Sequence, residues 1–222
     1  MWHGVDPLAG KYPDLSPYTY VANNPIKFID PNGKELVLPS ILTAFGYQVQ
    51  KDINTLYSTK TGRNLIRTLE ASKTKIHHKD ASRFYYSDKY DVTNSMTSGD
   101  YPNYWEAKDG RIDIQYAQRE NVNVDGITAN SFIVLAHEYS HARDIDSGGL
   151  EELQKGMSKD VKLNMPNEIS EIRAMITENK IRKEMGSKEI RTEYTGVKLL
   201  RDDGFTPIKD YGIDITKGLE NE

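Results

Sequence analysis

Residues 132–141 constrain this chain more than any other stretch. Phe132-Ile-Val-Leu-Ala136 runs without a break into His137-Glu-Tyr-Ser-His141. Asn130 or Ser131 can start a helix here and Gly148-Gly149 stops it, so the spacing predicts a helix ending near Asp146. An apolar run that covers every side of a helix has no solvent face, so this helix is expected to be buried. His137 and His141 are four residues apart and share one side of it, one turn from each other. Two imidazoles buried together need either separate hydrogen-bond partners or one shared metal ion. The chain has no cysteine, which excludes disulfides, thiolate sites and cysteine nucleophiles. A metal on this face must therefore be held by His, Asp or Glu, and a tetrahedral zinc ion suits an imidazole pair. Glu138 sits about a quarter-turn round from His137, where a carboxylate can take a proton from water activated beside the metal.

A third protein ligand is needed. No histidine follows His141, so a carboxylate is the natural donor. Pro166 suits a first helical turn, and 167–185 reads as a helix ending at Gly186. It offers Glu168, Glu171 and Glu178 on one face. Glu171 and Glu178 are seven residues apart, about 10 Å along the axis, so both cannot reach one ion at roughly 2 Å. Glu168 lies near the helix start, where the dipole already accounts for a carboxylate. Glu178 is followed by Asn179 and Arg182, which suggests a polar network. Ala174, one turn after Glu171, would let two helices approach closely. Glu171 is the expected ligand, with Glu168 and Glu178 as alternatives. Asp144 shares the face of His141, either as an outer partner of the site or as a solvated or C-terminal-turn residue.

The remaining pattern places a helix over 39–57, from Leu38, Ile41, Leu42, Phe45, Val49, Ile53 and Leu56, and another over 63–72. Segments 74–90 and 110–117 read as strands, the second from the alternation in Arg111-Ile-Asp-Ile-Gln-Tyr116, with a loop over 91–109 between them. Residues 150–165 are ambiguous, and the tail after 190 carries turns and short strands. The basic run from Lys60 to Lys79, with His77 and His78, reads as a solvated face. The net charge of −4 argues against a nucleic-acid partner. No apolar run is long enough to span a membrane, and the N-terminus lacks a signal-peptide pattern. Residues 1–36 stand apart, rich in Pro, Gly, Asn and Tyr and punctuated by Asp6-Pro7, Asn24-Pro25, Asp30-Pro31 and Asn32-Gly33. The 222 residues suffice for one well-buried domain with a short appendage.

Two resemblances sharpen this reading. His137-Glu-Tyr-Ser-His-Ala-Arg-Asp144, followed by Glu171-Ile-Arg-Ala174, resembles gluzincins of the anthrax lethal factor type, in which the Glu of an E-x-x-A motif completes the zinc site. Ser140 stands where such sites often have glycine, and serine is small enough to keep the match. The stretch from Glu171 to Arg182, with Gly186 and Arg191-Thr-Glu-Tyr194, resembles effector-type metallopeptidases at the ends of bacterial polymorphic toxins. That similarity implies an α+β zincin-like domain with an active-site helix, a second carboxylate-bearing helix and a small antiparallel sheet. It also implies that Tyr194 stabilises an oxyanion. Separately, the head from Asp6 to Gly33 resembles the end of an RHS repeat-associated core, whose D-P-x-G motif Asp30-Pro31-Asn32-Gly33 fits. Residues 1–36 are then the end of an RHS shell and 37–222 a zinc endopeptidase toxin. The resemblance further implies export by a specialised secretion system, a protein substrate in the target-cell cytoplasm and a cognate immunity protein. A non-catalytic zinc-stabilised binding module and an RHS toxin of another chemistry, such as a nuclease, are the competing expectations.

Overall fold

Two threonines open the first helices. Thr43 and Thr59 sit in extended backbone and accept hydrogen bonds from Gly46 N (2.9 Å) and Gly62 N (3.0 Å), each cap contributing about 1 kcal/mol. The computed structural model describes residues 43–72, 74–80, 96–98, 111–116, 122–147 and 166–219, all within the unit Val37–Glu222. The head 1–36, the start of the 39–57 helix, the strand residues expected after 80, most of the 91–109 loop and the ambiguous 150–165 lie outside the described residues.

Among the described residues there are four helices, α1 (Ala44–Tyr57), α2 (Lys60–Ala71), α3 (Ser131–Asp146) and α4 (Pro166–Glu184). The strands are β1 (Lys75–Asp80), β2 (Met96–Ser98), β3 (Arg111–Tyr116), β4 (Val122–Val124), β5 (Ile127–Ala129), β6 (Glu193–Tyr194) and β7 (Val197–Lys198). The α+β expectation holds. β3 is the middle strand of one sheet, pairing antiparallel with β2 and parallel with β1. β4–β5 and β6–β7 are antiparallel hairpins. The alternation read in β3 is real, with Ile112 and Ile114 fully buried.

α3 is the centre of the fold. It touches α1, α2, α4 and the sheet strands β2 and β3, and every residue from Ser131 to Ile145 is buried except Phe132. Val49, Ile53 and Leu56 of α1 and Leu65, Ile66 and Leu69 of α2 form the apolar wall beside it, with Tyr139 fully enclosed. Tyr139 OH hydrogen-bonds His78 Nε2 at 2.8 Å. His78 is therefore buried, a correction to the solvated-face reading of the basic run, while Lys60, Arg67 and Lys75 are exposed as expected. A buried tyrosine hydroxyl needs a partner, and this one takes it from β1.

α4 ends as the sequence suggests. Gly186 adopts φ 78°, and Ser187 N reaches back to Arg182 O at 2.9 Å, the six-to-one bond of a glycine-terminated helix. Beyond it the C-terminal segment packs Leu200, Tyr211, Ile215 and Leu219 onto Ile169, Ile172, Met175 and Ile176 of α4. At the C-terminal end of α4, the Glu184 carboxylate accepts from Thr61 N (3.1 Å) and Thr61 Oγ1 (2.6 Å), placing an anion on the α2 N-terminus. No helix among the described residues is long and apolar enough to cross a membrane.

The α1–α2 turn depends on Gly62, because a Cβ there would lie 2.3 Å from Leu56 O, a backbone atom that cannot yield cheaply. Gly62→Ala is expected to cost about 1–3 kcal/mol from overpacking, outweighing the roughly 1 kcal/mol helix-propensity gain of alanine. Urea unfolding measures this. A midpoint at or above that of the parent would contradict the packing argument.

Candidate metal centre

The face shared by α3 and α4 is built from polar side chains at helical spacing. His137 and His141, one turn apart on α3, bring their Nε2 atoms to 3.0 Å of each other, with rings at 83° and centroids 4.6 Å apart. Glu171 of α4 meets both, with Oε2 3.0 Å from His137 Nε2 and Oε1 3.6 Å from His141 Nε2. The outer nitrogens are each held from behind. His137 Nδ1 donates to Glu178 Oε1 at 2.6 Å, and His141 Nδ1 hydrogen-bonds Ser170 Oγ at 2.7 Å. Small side chains at the contact allow this close packing, with Ser140 Oγ 3.4 Å from Thr177 Oγ1 and Ala174 fully buried.

This arrangement fits a metal ion. A carboxylate partner makes His137 Nδ1 the donor and leaves the lone pair on Nε2. Ser170 Oγ can take the corresponding proton from His141. Glu171 Oε2 is buried and has no hydrogen-bond partner despite its short approach to His137. Three potential ligand atoms thus converge on one point, where a proton or a metal cation offsets their repulsion and desolvation. One ligand atom from each of His137, His141 and Glu171 lies within 4.8 Å of the others, a group that could hold a metal. The electrostatics agree. Burial pushes the His137 imidazole toward its neutral form, but Glu171 and Glu178 outweigh it and raise its pKa to about 10. A field that retains a proton so firmly also favours a divalent cation in its place. Burial pushes the Glu171 carboxyl up, yet the two imidazoles hold it far below the usual carboxylate range.

The other carboxylates divide as their neighbours dictate. Glu178 and Glu171 both reach His137, one at each ring nitrogen, so a single imidazole spans the helical gap between them. Burial raises the Glu178 carboxyl, but Arg191, His137 and Arg182 together hold it down at about 2. Glu168 is elsewhere, accepting a hydrogen bond from Tyr211 OH. Asp144 does not touch the histidines. Arg173 approaches it with two nitrogens (2.8 and 2.9 Å) and Arg143 with Nε at 3.1 Å, which ties α3 to α4 one turn beyond the two histidines. Asp144 lies in the last turn of α3, one of the expected places, but it is buried and not solvated. The guanidinium of Arg173 consumes the carboxylate.

Glu138 is buried on α3, 3% exposed. Tyr194 enters from β6. Burial, then the charge of Glu171 and a hydrogen bond to it, raise the Tyr194 pKa well above the tyrosine range, and Glu138 adds to the rise. The structure thus brings Glu138, Glu171 and Tyr194 into one neighbourhood. Ser170 and Asp125 were not singled out in the sequence, and Arg191 entered only as part of the resemblance over Arg191–Tyr194. Arg191 joins Glu178 Oε1 (2.8 Å) to Asp125 Oδ2 (2.9 Å), and Asp125 occupies the β4–β5 turn at φ 50°. The Asp125-Gly126 dipeptide between Val-Asn-Val and Ile-Thr-Ala is a hairpin signal that locates this turn.

This two-helix face of an α+β domain carries a His-His-Glu group that could hold a metal ion. The chain belongs to the Peptidase M91 family of effector proteins, whose family model matches residues 40–194. The match spans α1 through Tyr194 and takes in every residue of the His-His-Glu group. Neither the curated proteins nor the solved structures hold a significant match to the chain. As an effector peptidase it acts on protein in a cell to which it is delivered.

Asp144 provides a stability test separate from the metal. Burial pushes its carboxyl up, and Arg143 and Arg173 outweigh burial, leaving the pKa below 3.8 in the fold. Its contribution is complete above the ordinary carboxylate range and is lost as pH falls through it. Asp144→Asn, which strands two buried guanidinium groups, is expected to cost about 3–5 kcal/mol near neutral pH. It should also flatten the acid limb of the urea-stability profile. A variant with the parent's acid dependence would refute the assignment.

Proposed function

We propose that the domain is a zinc-dependent endopeptidase, with His137, His141 and Glu171 as the metal ligands. The observation that carries this reading is the convergence of two Nε2 lone pairs and the orphaned buried Glu171 oxygen on one point. Two imidazoles and one carboxylate are a common protein donor set for catalytic zinc, which keeps a fourth position open. Bound there, zinc supplies Lewis acidity, polarising the scissile carbonyl and acidifying the attacking water.

The chain's own residues divide the remaining work. Glu138 takes the proton of the attacking water and later passes it to the leaving amine. Tyr194 retains its proton under the influence of Glu171, so it offers an O–H donor to the developing oxyanion. Glu178 fixes the tautomer of His137 from behind, and Ser170 Oγ orients the His141 ring.

The head sequence places this peptidase in a longer architecture. From its similarity to the end of an RHS core, residues 1–36 close a shell and 37–222 form the released toxin. Delivery is then by a specialised secretion system, cleavage is of a protein in the target-cell cytoplasm, and a cognate immunity protein protects the producer.

Metal analysis after zinc supplementation should return about one zinc per chain. Glu171→Ala should lose it by far the most, Glu178→Ala should weaken binding by about 10–100-fold, and Glu168→Ala should leave it unchanged. Retention of zinc by Glu171→Ala would overturn the ligand assignment. Glu138→Gln should keep zinc and fold yet abolish cleavage, because the amide cannot accept the proton. The check is to map new protein N-termini in a target-cell lysate. A Gln variant that still generates them removes Glu138 from the mechanism.

A further inference from the structure

We infer that Arg191 is a positioning residue for His137, acting through Glu178 and anchored by Asp125 of the β4–β5 turn. The inference rests on the reading of His137 as a metal ligand. Glu178 Oε1 receives two donors at once, His137 Nδ1 at 2.6 Å and Arg191 Nη1 at 2.8 Å. The second contact fixes the oxygen that the first one uses. Arg182 also lies near Glu178, but at 3.8 Å and on the other carboxylate oxygen, too far to direct Oε1.

Arg191 is itself held at nearly every polar atom. Its Nη2 meets Asp125 Oδ2 at 2.9 Å and its Nε donates to Glu193 O at 3.2 Å. Its backbone N–H and C=O are both taken by the Asn179 amide at 2.8 Å. The guanidinium lies 5.3 Å from the centre of the Tyr194 ring. A buried side chain held by three hydrogen bonds and a ring contact, on a backbone fixed at both polar atoms, has little freedom, and a planar fork transmits direction as well as charge. Asp125 is the far anchor. Its other oxygen accepts from Gly196 N at 3.1 Å, so one carboxylate ties the β4–β5 turn to the β6–β7 turn and to Arg191. The line Asp125–Arg191–Glu178–His137 therefore runs from a hairpin turn to the candidate ligand.

Outer partners of metal-bound histidine set ring orientation and ligand basicity, and their loss costs about 10–100-fold in metal affinity. Arg191→Met is expected to show a loss in that range when the full chain competes for zinc with a chelator. Arg191→Lys keeps the charge without the fork and should fall between Met and the parent. Asp125→Asn tolerates the positive φ and still accepts from Gly196 N, so it isolates the anchor and should weaken zinc binding in the same direction. A second reading needs no metal. In protein labelled with nitrogen-15 at histidine, the His137 Nδ1–H proton signal of the metal-free parent should be shifted and slow to exchange. It should move or vanish in Arg191→Met and return in part in Arg191→Lys, which a merely structural role would not produce. Zinc affinity within about twofold of the parent in a folded Arg191→Met, with the His137 signal unmoved, overturns the inference. If that variant does not fold, the same null result in Asp125→Asn overturns it. A parent chain that binds no zinc defeats the metallopeptidase reading instead, while the proton signal still decides the role of Arg191.

Discussion

Burying ionisable groups on α3 is the constraint from which the rest of the structure follows. His137, Glu138, His141, Arg143 and Asp144 are all under 10% exposed, on a helix whose first turns are apolar. Desolvating that many polar groups is costly unless each finds a partner. α4 meets much of that requirement. Ser170, Glu171, Arg173, Thr177 and Glu178 face the α3 residues at hydrogen-bonding or ion-pairing distance. The two helices are held together by complementary polar groups as much as by apolar contact, and at Glu171 Oε2 that complementarity is incomplete.

The outer layers support this pair. α1 reaches the start of α3 through Asp52, which accepts from Ser131 Oγ at 2.8 Å and from Gln48 Nε2 at 2.9 Å. α2 is tied to the end of α4 through Thr61 and Glu184. The C-terminal segment covers the far side of α4, and Arg173 donates to Ile215 O and Lys217 O, at 2.7 and 3.0 Å, while holding Asp144. Each device limits the motion of a helix that carries a candidate ligand. Such restraint is what a site needs to keep three donors on one point.

The two-helix core was legible in the sequence because its signals are local. An apolar run, a four-residue histidine spacing, a first-turn proline and a terminal glycine each act within one helix. The separation of Glu171 from Glu178 was also readable from helical rise, and both were found at His137, on opposite nitrogens. The β4–β5 hairpin carried a readable Asp125-Gly126 turn. Its importance was not readable, because it arises when Arg191, 66 residues away, reaches Asp125. The parallel pairing of β1 with β3 and the bond between His78 and Tyr139 are likewise long-range. Neither leaves a trace in periodicity. The burial of Asp144 was not readable for the same reason, since its partner Arg173 lies 29 residues on.

The central claim is that this polar face is a three-ligand metal centre. The most direct measurement is zinc-edge X-ray absorption on the loaded full-length chain. The account predicts two imidazole nitrogens at about 2.0–2.1 Å and oxygen at about 2.0–2.2 Å, in a low-coordinate shell with the multiple scattering of two rings. An all-oxygen shell, or one without imidazole scattering, would contradict it.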